Sequence, residues 1–264
     1  MSPLSIVIIG AGNVAHHIAK ACVAAQHKVV AVHSRTIENA RSLAATLGES
    51  CQVVANISCL PNADLYIIAV SDSAISRVVQ SWPTHCREGI VVHTAGSIGL
   101  EQLRTLPTQI GVVYPLQTFS ASRELDFRNI PIFIEGDSVE TTQTLEHFAK
   151  TISDKVVWAD SPTRVQMHLA AVFACNFVNH LYAVAAKILN DAGIDSTCLE
   201  PLILETASKA TELPPIEAQT GPAKRGDQLV MDHHKALLAS QPELCQLYDL
   251  LSKNIQQLHN YDKL

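Results

Sequence analysis

Residues 10–15, Gly10-Ala11-Gly12-Asn13-Val14-Ala15, have the spacing G-x-G-x-x-G/A, and each residue type suits a phosphate site. Gly10 makes a tight turn out of a strand. Gly12 has no Cβ, so a pyrophosphate can approach the backbone. Ala15 lets a helix pack closely on a sheet, and the N-terminus of that helix offers free N–H groups and a positive dipole end. The pattern follows a β-branched apolar run, Ser5–Ile9, and opens a helical pattern from Val14 to about Ala25. This is the context a dinucleotide fingerprint requires. Gly10, Gly12, Asn13 and Val14 are the candidates for the pyrophosphate.

The end of the second strand discriminates between cofactors. A site for NAD usually has Asp or Glu there to accept from the ribose 2′-hydroxyl. This chain has His33-Ser34-Arg35-Thr36, with no acid before Glu38. Ser34 and Thr36 can donate to a 2′-phosphate, and Arg35 can pair with it and stack on adenine. The expected cofactor is NADP, unless Arg35 is only a solvated residue at the next helix start. Further strand ends should line the same ligand: Val70-Ser71-Asp72 after strand 4 and His93-Thr94-Ala95 after strand 5. Val70, Ser71, Thr94 and Ala95 are placed along the nicotinamide. Asp72 either lines the ligand or caps the following helix. His93 either lines it or is a satisfied core histidine.

A second set of chemical residues lies on a long helical pattern beginning after Asp160-Ser161-Pro162. At roughly 100° per residue, positions 168, 172, 176 and 179 fall in a stripe about 80° wide. His168, Asn176 and Asn179 then share one face, with His180 toward its edge. An imidazole is a competent proton donor near neutral pH, and asparagine can orient a carbonyl or imine. The alternative is that these residues only hydrogen-bond across a helix interface. Tyr114 and Gln117, after the sixth strand, should face the same cleft, Tyr114 as an acid or as an aromatic wall and Gln117 toward substrate. Gln219-Thr220-Gly221-Pro222 interrupts the helical run and suggests a binding wall. Arg225 either holds a substrate carboxylate or pairs with Asp227.

These residues need a scaffold, and the patterning supplies one. Strand patterns at 5–9, 28–33, 53–54, 65–70, 90–93 and 110–114 alternate with helices at 36–47 and about 73–81. Strands so separated imply right-handed crossovers and a parallel sheet. Ile130–Glu135, Val139–Ile152 and Lys155–Trp158 repeat the rhythm and should extend that sheet. Long helices then take over at about 162–192, 196–212, 227–239 and 242–259. The expected fold is α/β: a Rossmann-like, mostly parallel sheet over 1–160, followed by an all-α domain over 161–264.

With 264 residues, 47% apolar and 17% charged, the chain is no disordered segment. Its net charge of −6 argues against nucleic acid as the main partner. Seven scattered cysteines, never C-x-x-C, fit a reducing, cytoplasmic setting and read mostly as small core residues. The apolar start lacks a basic leader and reads as a buried strand rather than a signal peptide. Leu169–Leu189 is strongly apolar but contains Asn176, Asn179, His180 and Lys187, so it reads as a core or subunit-interface helix, not a membrane span. No spacing favours a metal, and no G-x-S-x-G favours a hydrolase.

The glycine fingerprint, the Ala69–Ser73 turn and the helical second half resemble the pyrroline-5-carboxylate reductase and 6-phosphogluconate dehydrogenase-like superfamily. His93–Ser97, Gly111–Ser120 with its Tyr-Pro-Leu-Gln-Thr-Phe, His168–His180 and Gln219–Asp227 more closely resemble a family assigned as NADP oxidoreductases, with a Rossmann-like domain and a helical C-terminal domain of unknown function. The resemblance covers nearly the whole chain. It implies a cleft between the domains and a homodimer built on the helical halves, without naming a substrate. Dehydrogenases of the wider superfamily carry a lysine on the first long helix; here none precedes Lys187. That weakens simple hydroxyacid oxidation more than imine or carbonyl reduction. The expected function is hydride transfer between NADP(H) and a small carbonyl, imine or hydroxy compound. Two rivals stand beside it: a non-catalytic NADP-binding sensor or scaffold, and a deazaflavin-dependent NADP reductase, which a flat second pocket would mark.

Overall fold

Ser5–Ile9 is apolar on both faces, and it becomes β1, a central strand whose residues 6–9 are all buried. The computed structural model describes residues 2–260. After β1 come α1 (Asn13–Ala24), β2 (Lys28–His33), α2 (Ile37–Ala45), β3 (Gln52–Val54), β4 (Leu65–Ile68), α3 (Asp72–Gln80), β5 (Ile90–His93) and β6 (Gln109–Pro115). Next are β7 (Ile132–Gly136), α4 (Val139–Ile152) and β8 (Val156–Trp158). The eight strands form one sheet in the order β3-β2-β1-β4-β5-β6-β7-β8. From β3 to β6 every pairing is parallel. The 130–158 unit does extend this sheet, but β7 runs antiparallel to β6. Only a short 3-10 turn, Phe127–Asn129, lies between them. With no crossover helix to carry the chain back, the next strand must reverse.

Alternation along each strand sends side chains to two cores. Ile6, Ile8, Val32, Ile67 and Val92 pack with Ile18 of α1, Leu43 of α2 and Phe148 of α4. Val7, Ile9, Tyr66, Ile68 and Val91 pack on the other face with Ile75 of α3 and Leu103. Few cysteines contribute: Cys22 and Cys86 are buried, whereas Cys59, Cys175 and Cys198 are exposed, so the expectation of mostly core thiols does not hold. Burial pushes the Cys22 thiol up to about 12, which leaves it inert.

Strands end at β8, and helices follow. One helix runs Ser161–Asp191. It comprises α5 (Ser161–Ala171), a wide π turn over Val172–Phe177, and α6 (Val178–Asp191). Asp160 caps its start by accepting from the Thr163 N–H at 2.9 Å, with Pro162 in the first turn. This helix is long and apolar enough to cross a membrane. No residue from Val172 to Asp191 is buried, which excludes a core role for the Leu169–Leu189 segment.

Contacts divide the chain into two compact units, the first reaching Leu181 and the second beginning at Tyr182. The change from sheet to helix thus falls at Ser161, and the first unit includes most of that long helix. The second unit contains α7 (Glu200–Glu212), α8 (Pro215–Ala218), α9 (Pro222–Arg225), α10 (Gln228–Leu237) and α11 (Pro242–Asn260). Among its described residues Met231 and Ala223 are the buried apolar ones, and His234 Nδ1 meets the Tyr248 hydroxyl at 2.9 Å.

Candidate active site

Successive strands from β1 lead one way, to β2 and β3, and β4 restarts on the other side of β1. Such a switch point leaves a crevice beyond the carboxyl ends of the strands. Here it is a cleft of about 1550 Å³ whose lining residues all belong to the first unit. That exceeds the usual range for one drug-sized ligand, roughly 300–1,000 Å³.

The glycine turn forms the middle of the cleft. Gly10 has φ +120°, and a Cβ there would collide with the Ala69 carbonyl at the end of β4. Gly12 faces open space, with nothing within 4 Å of where a Cβ would stand. The first turn of α1 has no side-chain cap, and neither does α2 at Thr36 nor α3 at Ser71. By contrast, Ser138 and Asp160 cap α4 and α5. The three helices that start at the cleft therefore keep their N–H groups free for an anion. The Asn13 side chain is engaged elsewhere: its Nδ2 donates to the Phe119 carbonyl at 2.9 Å.

At one end, Ser34, Arg35 and Thr36 line the cleft together with Asn39, Asn56 and Ile57. Ala74, Arg77, Val78 and Ser81 line it too. The sequence reading passed over Arg77, although the spacing 74, 77, 78, 81 marks one face of α3. At the other end are Val70, Ser71, Asp72, Thr94, Ala95, Tyr114 and Gln117. Asp72 caps nothing; it is the first residue of α3, and its Oδ2 accepts from the Ser97 hydroxyl.

The chemistry concentrates where β6 meets α5. The Tyr114 hydroxyl lies 3.1 Å from His168 Nδ1, with the rings edge to face at 6.0 Å. Gly96 permits this approach. A Cβ there would stand 2.6 Å from Tyr114 Cζ and 2.8 Å from His168 Nδ1. Burial raises the Tyr114 pKa above the ordinary phenol value, and the Asp72 carboxylate adds to this, while Arg164 offsets part of it. The phenol therefore holds its proton at neutral pH, and which partner donates across the pair follows the His168 tautomer.

One turn before His168, Arg164 is fully buried. It pairs with Glu135 of β7 and donates to the Ile98 carbonyl at 2.6 Å and to Ser161 Oγ at 3.2 Å. Ser161 in turn donates to Glu135 at 2.7 Å and accepts from the Leu100 N–H at 3.0 Å. This network pins the start of α5 to the sheet and so fixes where His168 projects. Sequence reasoning missed it, because an Arg four residues before a His looks like any solvated helix pair. His93 is buried and half satisfied. Its Nδ1 accepts from the Ala95 N–H at 3.2 Å and Nε2 has no partner, while burial, aided by Arg164, lowers its pKa to about 4.

The π turn changes which helix residues reach the cleft. Met167, His168, Ala171, Ala174, Cys175 and Asn176 line it; Asn179 and His180 do not. A π turn holds one extra residue, so everything beyond it lags by about 100°, the rotation of one residue. The stripe that joins 168 to 179 on a regular helix is broken there. Gln219 and Thr220, between α8 and α9, and Arg225, the last residue of α9, belong to the second unit. Arg225 does not pair with Asp227, whose side chain caps α10 by accepting from the Val230 N–H at 3.3 Å.

Comparison with known proteins agrees with this geometry. Residues 5–96 match the family described as NADP oxidoreductase, coenzyme F420-dependent, and residues 130–255 match a domain of unknown function, DUF2520. A provisionally assigned NADP oxidoreductase of Bacteroides fragilis is 42% identical, with TM-score 0.88, over 97% of this chain and 98% of that one. A Thermotoga maritima protein is 21% identical, TM-score 0.72, over 98% and 100% of the two chains. A reductive aminase of Aspergillus terreus, solved with NADPH and ethyl levulinate, is 14% identical, TM-score 0.71, over 98% and 99%. The last two likenesses are likenesses of fold. No curated protein matches the chain.

Proposed function

The chain belongs to the family of NADP-dependent oxidoreductases that join this nucleotide-binding domain to the helical DUF2520 region, and from that premise we propose that it passes hydride between NADP(H) and a small carbonyl, imine or hydroxy compound. The observation that carries the reading is a cleft holding both an uncapped glycine turn and a phenol–imidazole pair.

Gly10, Gly12, Asn13 and Val14 present main-chain N–H groups to the pyrophosphate. Ser34, Arg35 and Thr36 take the 2′-phosphate, Arg35 as a charge-assisted donor. Val70, Ser71, Thr94 and Ala95 flank the nicotinamide. When bound, NADPH supplies the hydride. The substrate oxygen or nitrogen then needs a proton, and Tyr114 with His168 holds one at hydrogen-bond distance. The phenol is kept protonated, and the imidazole can accept its proton or pass one from solvent. Run backwards, the same pair takes the proton from a hydroxyl or amine. Asn176 orients the reacting carbonyl or imine with its carboxamide. A substrate contact is proposed for Gln117, which lines the cleft; Asn179, Gln219, Thr220 and Arg225 are not among its lining residues and are not assigned one.

The absence of a lysine from the long helix before Lys187 favours an imine over a hydroxyacid, since an imine needs mainly hydride delivery and a polar cage. A pure NADP sensor would have no use for a proton-donating pair. The seven free cysteines support a reducing, cytoplasmic setting. Val165, Leu169, Phe173, Phe177 and Leu181 form an exposed apolar row at four-residue spacing, which supports a homodimer through the helical region.

The test is a titration with NADPH and NADH followed by nicotinamide fluorescence, then a screen of ketones, 2-oxo acids and imines for NADPH oxidation. Selective NADPH binding with turnover of a carbonyl or imine is expected. Failure to bind either nucleotide would overturn the reading.

A further inference from the structure

The loop that leaves β6, residues 116–120, is fastened to α1 at two points. Asn13 Nδ2 donates to the Phe119 carbonyl at 2.9 Å, and one turn later His17 Nε2 meets the Ser120 carbonyl at 3.0 Å. A carbonyl oxygen only accepts, so His17 carries its proton on Nε2. The Phe119 ring sits 5.1 Å from the His17 ring and stacks at 6.1 Å on Phe127. Gln117, Thr118 and Phe119 line the same cleft as Gly12, Asn13 and Val14. The loop thus lies against the glycine turn, held there by side chains from the helix that the turn begins. Asn13 uses its carboxamide on this loop, which leaves main-chain N–H groups for a pyrophosphate.

We propose that residues 116–120 are a strap over the pyrophosphate of the bound dinucleotide, and that Asn13 and His17 are positioning residues whose clasp sets how fast the dinucleotide leaves. The proposal rests on the reading that the glycine turn holds NADP(H). A ligand seated between turn and strap cannot depart until the two carbonyl bonds and the Phe119 contact open. Its entry is less affected, since changes within one binding site act mostly on dissociation. The clasp is invisible to any motif, because its two halves are more than a hundred residues apart.

The experiment is stopped-flow displacement of NADPH by excess NADP⁺, with the association rate measured separately, for the wild type, His17→Ala, Asn13→Ala and His17→Gln. Alanine at either position is expected to speed release about tenfold and leave association within about twofold. Glutamine at position 17 restores an N–H donor and should recover most of the slow release. Hydrogen exchange gives a second readout in the free protein: amides of 116–120 should exchange faster in His17→Ala than in the wild type. Wild-type release rates in both alanine variants, with NADPH still bound, overturn the strap alone. Slower association of Asn13→Ala without faster release means that Asn13 binds pyrophosphate directly, which also overturns it. No NADPH binding by the wild type overturns the underlying reading and the strap with it.

Discussion

The Tyr114 hydroxyl and His168 Nδ1 lie 3.1 Å apart although their residues come from a strand end and a helix 54 positions later. The pair touches because Gly96 has no side chain to separate it. If it is the proton donor, Tyr114→Phe and His168→Ala should each lower kcat by about 10²–10⁴, the usual worth of a positioned acid. The double variant should be no worse than the poorer single one, because the two residues act as a unit. Gly96→Ala should lower kcat similarly with NADPH affinity largely kept. Single-turnover kinetics on all four proteins checks this.

Cofactor choice is expected to rest on Arg35. Arg35→Glu should weaken NADPH binding at least about tenfold, the loss of one charge-assisted contact, and leave NADH binding nearly unchanged. Equal loss for both nucleotides in a fluorescence titration would remove Arg35 from the 2′-phosphate site.

Glu135, partly exposed, is the counter-charge of Arg164, whose side chain is fully enclosed. Glu135→Gln leaves a guanidinium buried without its partner, which costs about 3–5 kcal/mol. Thermal and denaturant unfolding should show that loss. Replacing both residues, Arg164→Met with Glu135→Leu, should recover much of the stability but not activity, because His168 loses its anchored turn.

His93 predicts a pH dependence of stability. Its folded pKa is lowered from 6.5 to about 4 by burial and by Arg164. Between these values the unfolded chain binds a proton that the folded chain does not. Stability is therefore full above pH 6.5 and falls as pH drops toward 4, by about 3 kcal/mol in all from this group. His93→Gln should flatten that stretch of the curve. Denaturant midpoints measured across this range decide it.

The local signals in the chain determined a good deal. A β-branched run, a glycine turn and a helix pattern follow one another directly in sequence, so β1, the turn and α1 were legible, as was the line of strand ends that forms the cleft. Gly10 and Gly12 show themselves through the local spacing of the glycine motif, although the carbonyl that Gly10 makes room for is that of the distant Ala69. Ser34, Arg35 and Thr36 line the cleft because the end of β2 opens onto it in such a sheet.

What tertiary structure alone decided depends on distant parts of the chain or on backbone irregularity. Helical periodicity assumes a constant turn, so it placed Asn176 at the cleft but could not foresee the π turn at 172–177 beyond which Asn179 no longer lines it. β7 reverses because the loop before it lacks a crossover helix, a matter of chain length and packing rather than strand pattern. Arg164, Glu135 and Ser161 become one network only when α5 docks on the sheet and buries the guanidinium, and no residue type in that triad announces it. Asn13, within the glycine motif, has its side chain claimed by a carbonyl 106 residues away. Composition and spacing report what a residue can do; which of its possible partners it meets is settled by packing.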